Sequence, residues 1–190
     1  MLLFLAGAAG AQEWQIDASH SAAQFAVRHM MVSTVRGQFG AVTGSATYDP
    51  ANLSQASITA EVEAASIDTR NAKRDAHLKS PDFFEVEKHP RIRFVSKSFE
   101  PAGQGKLKLI GDLTIRGVTR QVGFDVEGIG APVKDGRGGE RIGATATAKI
   151  SRKDFGITWN RAVETGGVVV GDDVSLTIDV QLIRKLPAGG

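Results

Sequence analysis

The stretch "HSAAQFAVRHM", His20 to Met30, decides how the rest of the chain is read. Successive side chains of a strand point to opposite sides of the pleat, so Phe25, Val27 and His29 fall on one face. Two apolar groups and an imidazole then share a surface. Four roles are open to His29: a hydrogen-bonded core histidine, a catalytic base, a metal ligand, or the polar end of a site for an apolar ligand.

The same period of two extends in both directions. "EWQIDA" puts Trp14 and Ile16 together, and "VRGQFGAVTGSATYD" reads as one long third segment. "ASITAEVEAASI" sets Ile58, Ala60, Val62 and Ala64 against Thr59, Glu61 and Glu63. Farther along, Leu107, Leu109, Leu113 and Ile115 share a parity, as do Val122, Phe124 and Val126, and Val174, Leu176, Ile178, Val180 and Leu182. These are half-buried strands. Alternation stops between Asp68 and Pro90, where charged "TRNAKRDAHLKSPDFFEVEKHP" predicts a short helix around Asn71 to Lys79, ended at Ser80-Pro81. Eight or nine strands result. Antiparallel strands with one apolar face must close into a barrel or stack as a sandwich, to hide that face and the sheet edges. A closed eight-stranded barrel has room for one small ligand.

At 190 residues the chain suits a single domain with a substantial core. Lys and Arg number 23 against 21 Asp and Glu, a net charge of +2, without the dense basic face of a nucleic-acid binder, so no nucleic-acid partner is expected. With no cysteine, disulfides and thiolate metal sites are excluded. "MLLFLAGAAGAQEW" combines an apolar run with Ala9-Gly10-Ala11, a small-x-small cleavage pattern, so residues 1–11 are read as a residual export signal and residues 12–186 as the folded domain. Eleven residues are too few to span a bilayer, which needs about 20.

Four motifs, "WQIDASHSAAQFAVRHMMVSTVRGQFG", "ASIDTRNAKRDAHLKSPDFFEVEKHPRIRFVS", "GDLTIRGVTRQV" and "SRKDFGI", together resemble the YceI-like family of periplasmic polyisoprenoid-binding proteins. The resemblance covers Trp14 to about Leu182, in the family's order. It implies an all-β fold, an extended eight-stranded antiparallel lipocalin-like barrel with a helical segment near Arg74 to Leu78. It also implies a long isoprenoid or other amphiphilic chain inside the barrel, and export to the periplasm. The expected partner is therefore an amphiphilic lipid, such as an isoprenoid quinone, prenyl pyrophosphate or fatty amide, with transient membrane contact and room for a homodimer. No cofactor is required beyond a bound isoprenoid lipid or quinone.

Candidate lining residues follow from parity: Phe25, Val27, His29, Phe39, Phe94, Leu113, Ile115, Phe124 and Ile178. Each is equally at home in an ordinary core. The small residues Ala22, Ala26, Gly37, Gly44, Ala46, Gly111 and Ala146 would leave room among them, although parity turns only some of these inward. In "KRDAHLKSPDFF", Leu78, Phe83 and Phe84 suit a lid, and Phe155 in "SRKDFGI" suits either recognition or barrel-end packing. His20, Arg74, His77 and Arg152 are the candidates for a polar headgroup, Arg because its fork makes paired charge-assisted bonds. The competing readings are ion pairs, Arg74 with Asp75 or Arg152 with Asp154. His20, His29, His77 and His89 lack tight ligand spacing, so no metal site is expected. A catalytic reading would pair His29 or His20 with Ser21 or Asp17, but no Gly-x-Ser-x-Gly elbow supports it, and no catalytic residue is assigned. The alternative to a carrier is a stress-protective or structural periplasmic protein.

Overall fold

A computed structural model describes residues 12–49, 52–162 and 167–185, so the expected export signal lies outside the described residues, as does Leu186. The alternating segments form strands β1 (Gln12–Ile16), β2 (Ala22–His29), β3 (Ser33–Phe39), β4 (Thr43–Tyr48) and β5 (Ser57–Glu63). After helix α1 (Ala72–Lys79) come β6 (Arg91–Pro101), β7 (Leu107–Ile115), β8 (Val118–Glu127), β9 (Val133–Lys134), β10 (Gly139–Ser151) and β11 (Val170–Lys185). All pairings are antiparallel, and β11 pairs with β10 to close the sheet.

Eleven strands make only eight staves, because three staves are broken. β1 and β2 lie end to end along β11: Ile16 is opposite Leu182, and Ala22 to His29 run opposite Asp179 to Val170. β3 and β4 form the next stave, paired with β2 and β1 respectively. β9 continues β8 along β10. The expected unbroken third segment is thus two strands, interrupted at Gly40–Val42. The Gly40 amide donates to Ser66 Oγ (2.8 Å) instead of to a ladder, and Val42 turns inward, 2% exposed. At the other break, the Asp17 carboxylate accepts from Ser19 Oγ (2.6 Å), His20 Nδ1 (2.9 Å), Arg141 Nη1 (2.8 Å) and Gln181 Nε2 (3.0 Å), tying the loop to β10 and β11. These bonds stabilise the charged form and hold Asp17 well below the ordinary carboxylate range, the Ser19 hydroxyl contributing most.

One face of each stave is apolar, and closure turns it inward. β7 buries Leu107, Leu109, Leu113 and Ile115 on one parity. At the end where β1 and β10 begin, Trp14, 1% exposed, packs with Ala46 and Ile142 against Tyr48, Ile58, Ile129 and Leu182 and forms a floor. Outside it the Arg184 guanidinium lies 4.8 Å from the Trp14 ring centroid and donates to Glu140.

The excursion 64–90 serves the opposite end. α1 begins where Asn71 Oδ1 accepts from the Arg74 amide (3.0 Å), an N-cap, and stops at Ser80 before Pro81. Two latches hold this segment. Gln38 and Asp68 exchange backbone bonds of 2.9 and 2.8 Å, and Arg116 donates from Nη1 to Gly156 O (2.6 Å) and from Nη2 to Pro81 O (2.8 Å).

Candidate functional site

The barrel encloses a cavity of about 280 Å³. That is close to the lower edge of ligand pockets, roughly 300–1,000 Å³. One parity of β11, from Val174 to Leu182, runs along it, and Ile16 and Ala23 on the broken first stave face that row. Phe94 of β6 and Phe124 of β8 meet edge to face at 5.3 Å in its wall, and Phe25 and Phe39 pack at 5.8 Å. Each such pair adds about 0.5–1.5 kcal/mol beyond its area burial. From the excursion, Leu78, Phe83 and Phe84 complete the lining, with Phe84 edge-on to Phe39 at 5.7 Å.

Of the residues expected at the lining, Phe25, Val27, Phe39, Phe83, Phe84, Phe94, Leu113, Ile115, Phe124, Phe155 and Ile178 all border this cavity. His29 does not: it ends β2, opposite Ser33 and Val170, beyond the lining. The lining also takes in Val174, Leu176, Val180 and Leu182, which the continuing parity of β11 already pointed to.

The small residues divide, and the glycines among them act otherwise than expected. A Cβ at Gly37 would fall 2.5 Å from Phe25 Cζ and 2.8 Å from Thr69 Cγ2, and one at Gly111 would meet the Phe94 ring and lie 2.5 Å from Val95 O. These glycines make room for phenyl rings, not for a ligand. Gly44, at φ +142°, permits close approach to the Thr59 carbonyl of β5. Ala22 and Ala26 have the parity opposite to Phe25 and lie outside the lining, whereas Ala46 and Ala146 border the cavity.

Arg152 is the one headgroup candidate that borders the cavity, and its donors are already engaged. Nε donates to Gly171 O (2.9 Å), Nη1 to Ile157 O and Trp159 O (both 2.8 Å), and Nη2 to Val170 O (3.3 Å) and Asp172 Oδ1 (3.1 Å). A guanidinium has five N–H donors, so none is left for a headgroup. The ion-pair partner is Asp172, on the far side of the loop, and not the neighbouring Asp154. Burial lowers the Arg152 pKa, opposed by Asp172, whose own pKa is lowered, chiefly by a hydrogen bond from Lys153.

The other candidates face elsewhere. His20 is outside the barrel on Asp17. Arg74 donates to Thr69 Oγ1 (2.7 Å) and Thr69 O (2.8 Å), while Asp75 accepts from the same Thr69, so the expected Arg74–Asp75 pair is replaced by a shared threonine. His77 bonds Asp82 Oδ2 (2.8 Å) and stands edge-on to Phe83 and Trp159, at 5.0 and 4.8 Å, behind the lid. Ser21 Oγ accepts from the Gln181 amide (3.0 Å) and makes no bond to His20. Among the described residues, no three His, Asp or Glu side chains are grouped to hold a metal ion.

An eight-stave antiparallel barrel around an apolar cavity, latched at one end by a helical excursion, defines a lipocalin-like barrel protein. The YceI-like domain model matches residues 14–182, and the chain belongs to that family. A UPF0312 protein of Staphylococcus aureus is 40% identical over 158 residues, 83% of this chain and 90% of that protein. A YCEI protein of Campylobacter jejuni superposes with a TM-score of 0.71 at 33% identity, covering 83% of this chain and 90% of that one. At 13% identity and a TM-score of 0.65, a polyisoprenoid binding domain from Saccharophagus degradans shares the fold, over 92% of this chain and 98% of its own.

Proposed function

We propose that this protein binds one polyisoprenoid, isoprenoid quinone or related amphiphile in the periplasm, with the apolar tail in the barrel and the polar head outside, and that it carries or stores it there. The observation that supports this best is the cavity left between the side chains, whose lining runs predominantly apolar from Ile16 and Leu182 at one end to Val27 and Val170 at the other. Within it the Arg152 guanidinium is fully bonded, which favours tail-inside, head-outside binding. Membership of the YceI-like family, and the ligand for which the Saccharophagus domain is named, point to the same ligand class.

Apolar surface gains roughly 25 cal/mol per Å² on leaving water, but a tail in a bilayer has already left it. Transfer from membrane to barrel is therefore close to neutral and reversible, which suits exchange more than irreversible capture. Organic extraction of the purified protein followed by mass spectrometry should recover a prenyl lipid or similar amphiphile. An empty extract, together with failure to withdraw a fluorescent prenyl lipid from vesicles, would end the proposal.

A further inference from the structure

At the end of the barrel opposite Trp14, the β2–β3 hairpin presents Met30, Met31 and Val32 at its tip, 43%, 60% and 80% exposed. Val168, also exposed, lies alongside: the Met30 amide donates to Val169 O (2.8 Å), and Ala162 bridges to Val168. Four neighbouring apolar side chains in water are an unfavourable surface unless something covers them.

The tip is held in shape. Met30 and Met31 have φ of 50° and 59°, a conformation that side-chain-bearing residues rarely adopt. Val32 N donates to His29 O (3.0 Å), and Arg28 spans the turn from Nη2 to Met31 O (2.6 Å) and from Nη1 to Thr34 Oγ1 (3.1 Å). The methionines are thereby presented outward.

Charge indicates what covers them. From Ala18 to Tyr48 the chain has Arg28 and Arg36 and no carboxylate, and on the Val168 side exposed Arg161 is followed in the sequence by Glu164, the one carboxylate between Arg161 and Val168. On the facing start of β11, Asp172 is bound to Lys153 (2.7 Å) and Asp173 to Lys149 (3.3 Å). A protein partner would need about 20–30 residues a side for a stable interface, far more than this tip offers. A short apolar finger with an excess of arginine near it, Arg28, Arg36 and Arg161, instead suits a bilayer, where apolar insertion and attraction to anionic lipid act together.

We infer that the β2–β3 tip, Met30 to Val32 with Val168, docks on the surface of an anionic lipid bilayer. Phe25, Val27 and Val170, which line the cavity, continue from this tip along β2 and β11. Docking sets that apolar track against the acyl region, and His29, between tip and cavity, falls at headgroup level. The role given to docking rests on the lipid-binding proposal, but docking itself is measured separately.

Flotation of the full chain with vesicles tests it. The protein should float with phosphatidylcholine vesicles containing phosphatidylglycerol and much less with phosphatidylcholine alone, about fivefold less for each arginine engaged. The double variant Met31→Glu/Val32→Glu should lose flotation while keeping its circular dichroism, and Val133→Glu, an exposed valine at the other end of the barrel, should float as wild type. The chain has no cysteine, so a dye on Met31→Cys is a unique reporter. Its emission should shift to the blue on adding anionic vesicles, and that of a dye on Val133→Cys should not. Equal flotation with both vesicle types, undiminished flotation of the double variant, or an unshifted Met31→Cys dye overturns the inference. Lipid recovered by extraction from a protein that does not float leaves the binding proposal standing and removes this one; flotation of a protein whose extract is empty does the reverse.

Discussion

Replacing Arg152 with lysine separates a structural guanidinium from a headgroup clamp. The arginine meets five acceptors, but two of them have other donors: Val170 O also accepts from Asn160 Nδ2 (2.8 Å), and Asp172 is bound by Lys153. Lysine retains the charge and offers three donors, which matches the remaining carbonyls of Ile157, Trp159 and Gly171 in number but not in direction. The guanidinium is a planar fork that reaches several carbonyls at once, whereas an ammonium radiates from a single point. At least one buried carbonyl stays unpaired, at a cost of about 1–3 kcal/mol. For a domain of this size each kcal/mol lowers the melting temperature by about 2–4 °C, so Arg152→Lys should melt about 2–12 °C lower. Thermal melts followed by circular dichroism read the stability, and extraction of protein prepared well below the midpoint reads the lipid load, which should be unchanged. An unaltered melting temperature with a reduced lipid load would refute this account and return Arg152 to the headgroup.

Three other perturbations address the wall, the cavity and acid stability. Gly111→Ala should destabilise the barrel by about 1–3 kcal/mol, read by chemical denaturation, because the new methyl meets both the Phe94 ring and the backbone oxygen of Val95, and the latter is fixed in the ladder. Ala146→Phe projects a ring into the cavity from β10, so bound lipid in the extract should fall sharply while the cooperative melt persists. Asp17 has a folded-state pKa below its unfolded value near 3.9, so its contribution to stability is complete above about pH 4 and is lost as pH falls through the folded pKa. Asp17→Asn should therefore be less stable than wild type at neutral pH, and the difference should shrink in acid, as measured by denaturation midpoints across pH.

What was legible in the sequence is what a period of two encodes. The parity of Val174 to Leu182 and of Leu107 to Ile115 puts each of these side chains on the inner face, since closure of the sheet changes no residue's side. Asn71 before α1 and Ser80-Pro81 after it marked the helix ends to within a residue, because caps are local chemistry. What stayed hidden depends on partners far along the chain. Nothing near Gly40 says that Ser66 takes its amide and splits the expected third segment into β3 and β4. Gly37 and Gly111 look like space until the rings of Phe25 and Phe94 are known to cross them. Arg152 looks available because Val170, Gly171 and Asp172, which use its donors, follow eighteen to twenty residues later. Phe25 and Val27 reach the cavity and His29 stops short of it, a distinction of position along the strand that parity does not register.

Trp14 backs the end of the cavity where Ala46, Ile142 and Leu182 form the lining. Packed against a buried indole, those three side chains cannot retreat as an occupant lengthens, so for the lipid proposed above the barrel would act as a ruler. A hydrocarbon shorter than the cavity would strand oily space above them, and a longer one would leave its surplus protruding into water. Selection by reach, more than by chemical detail, would then follow from a single immovable ring behind the lining.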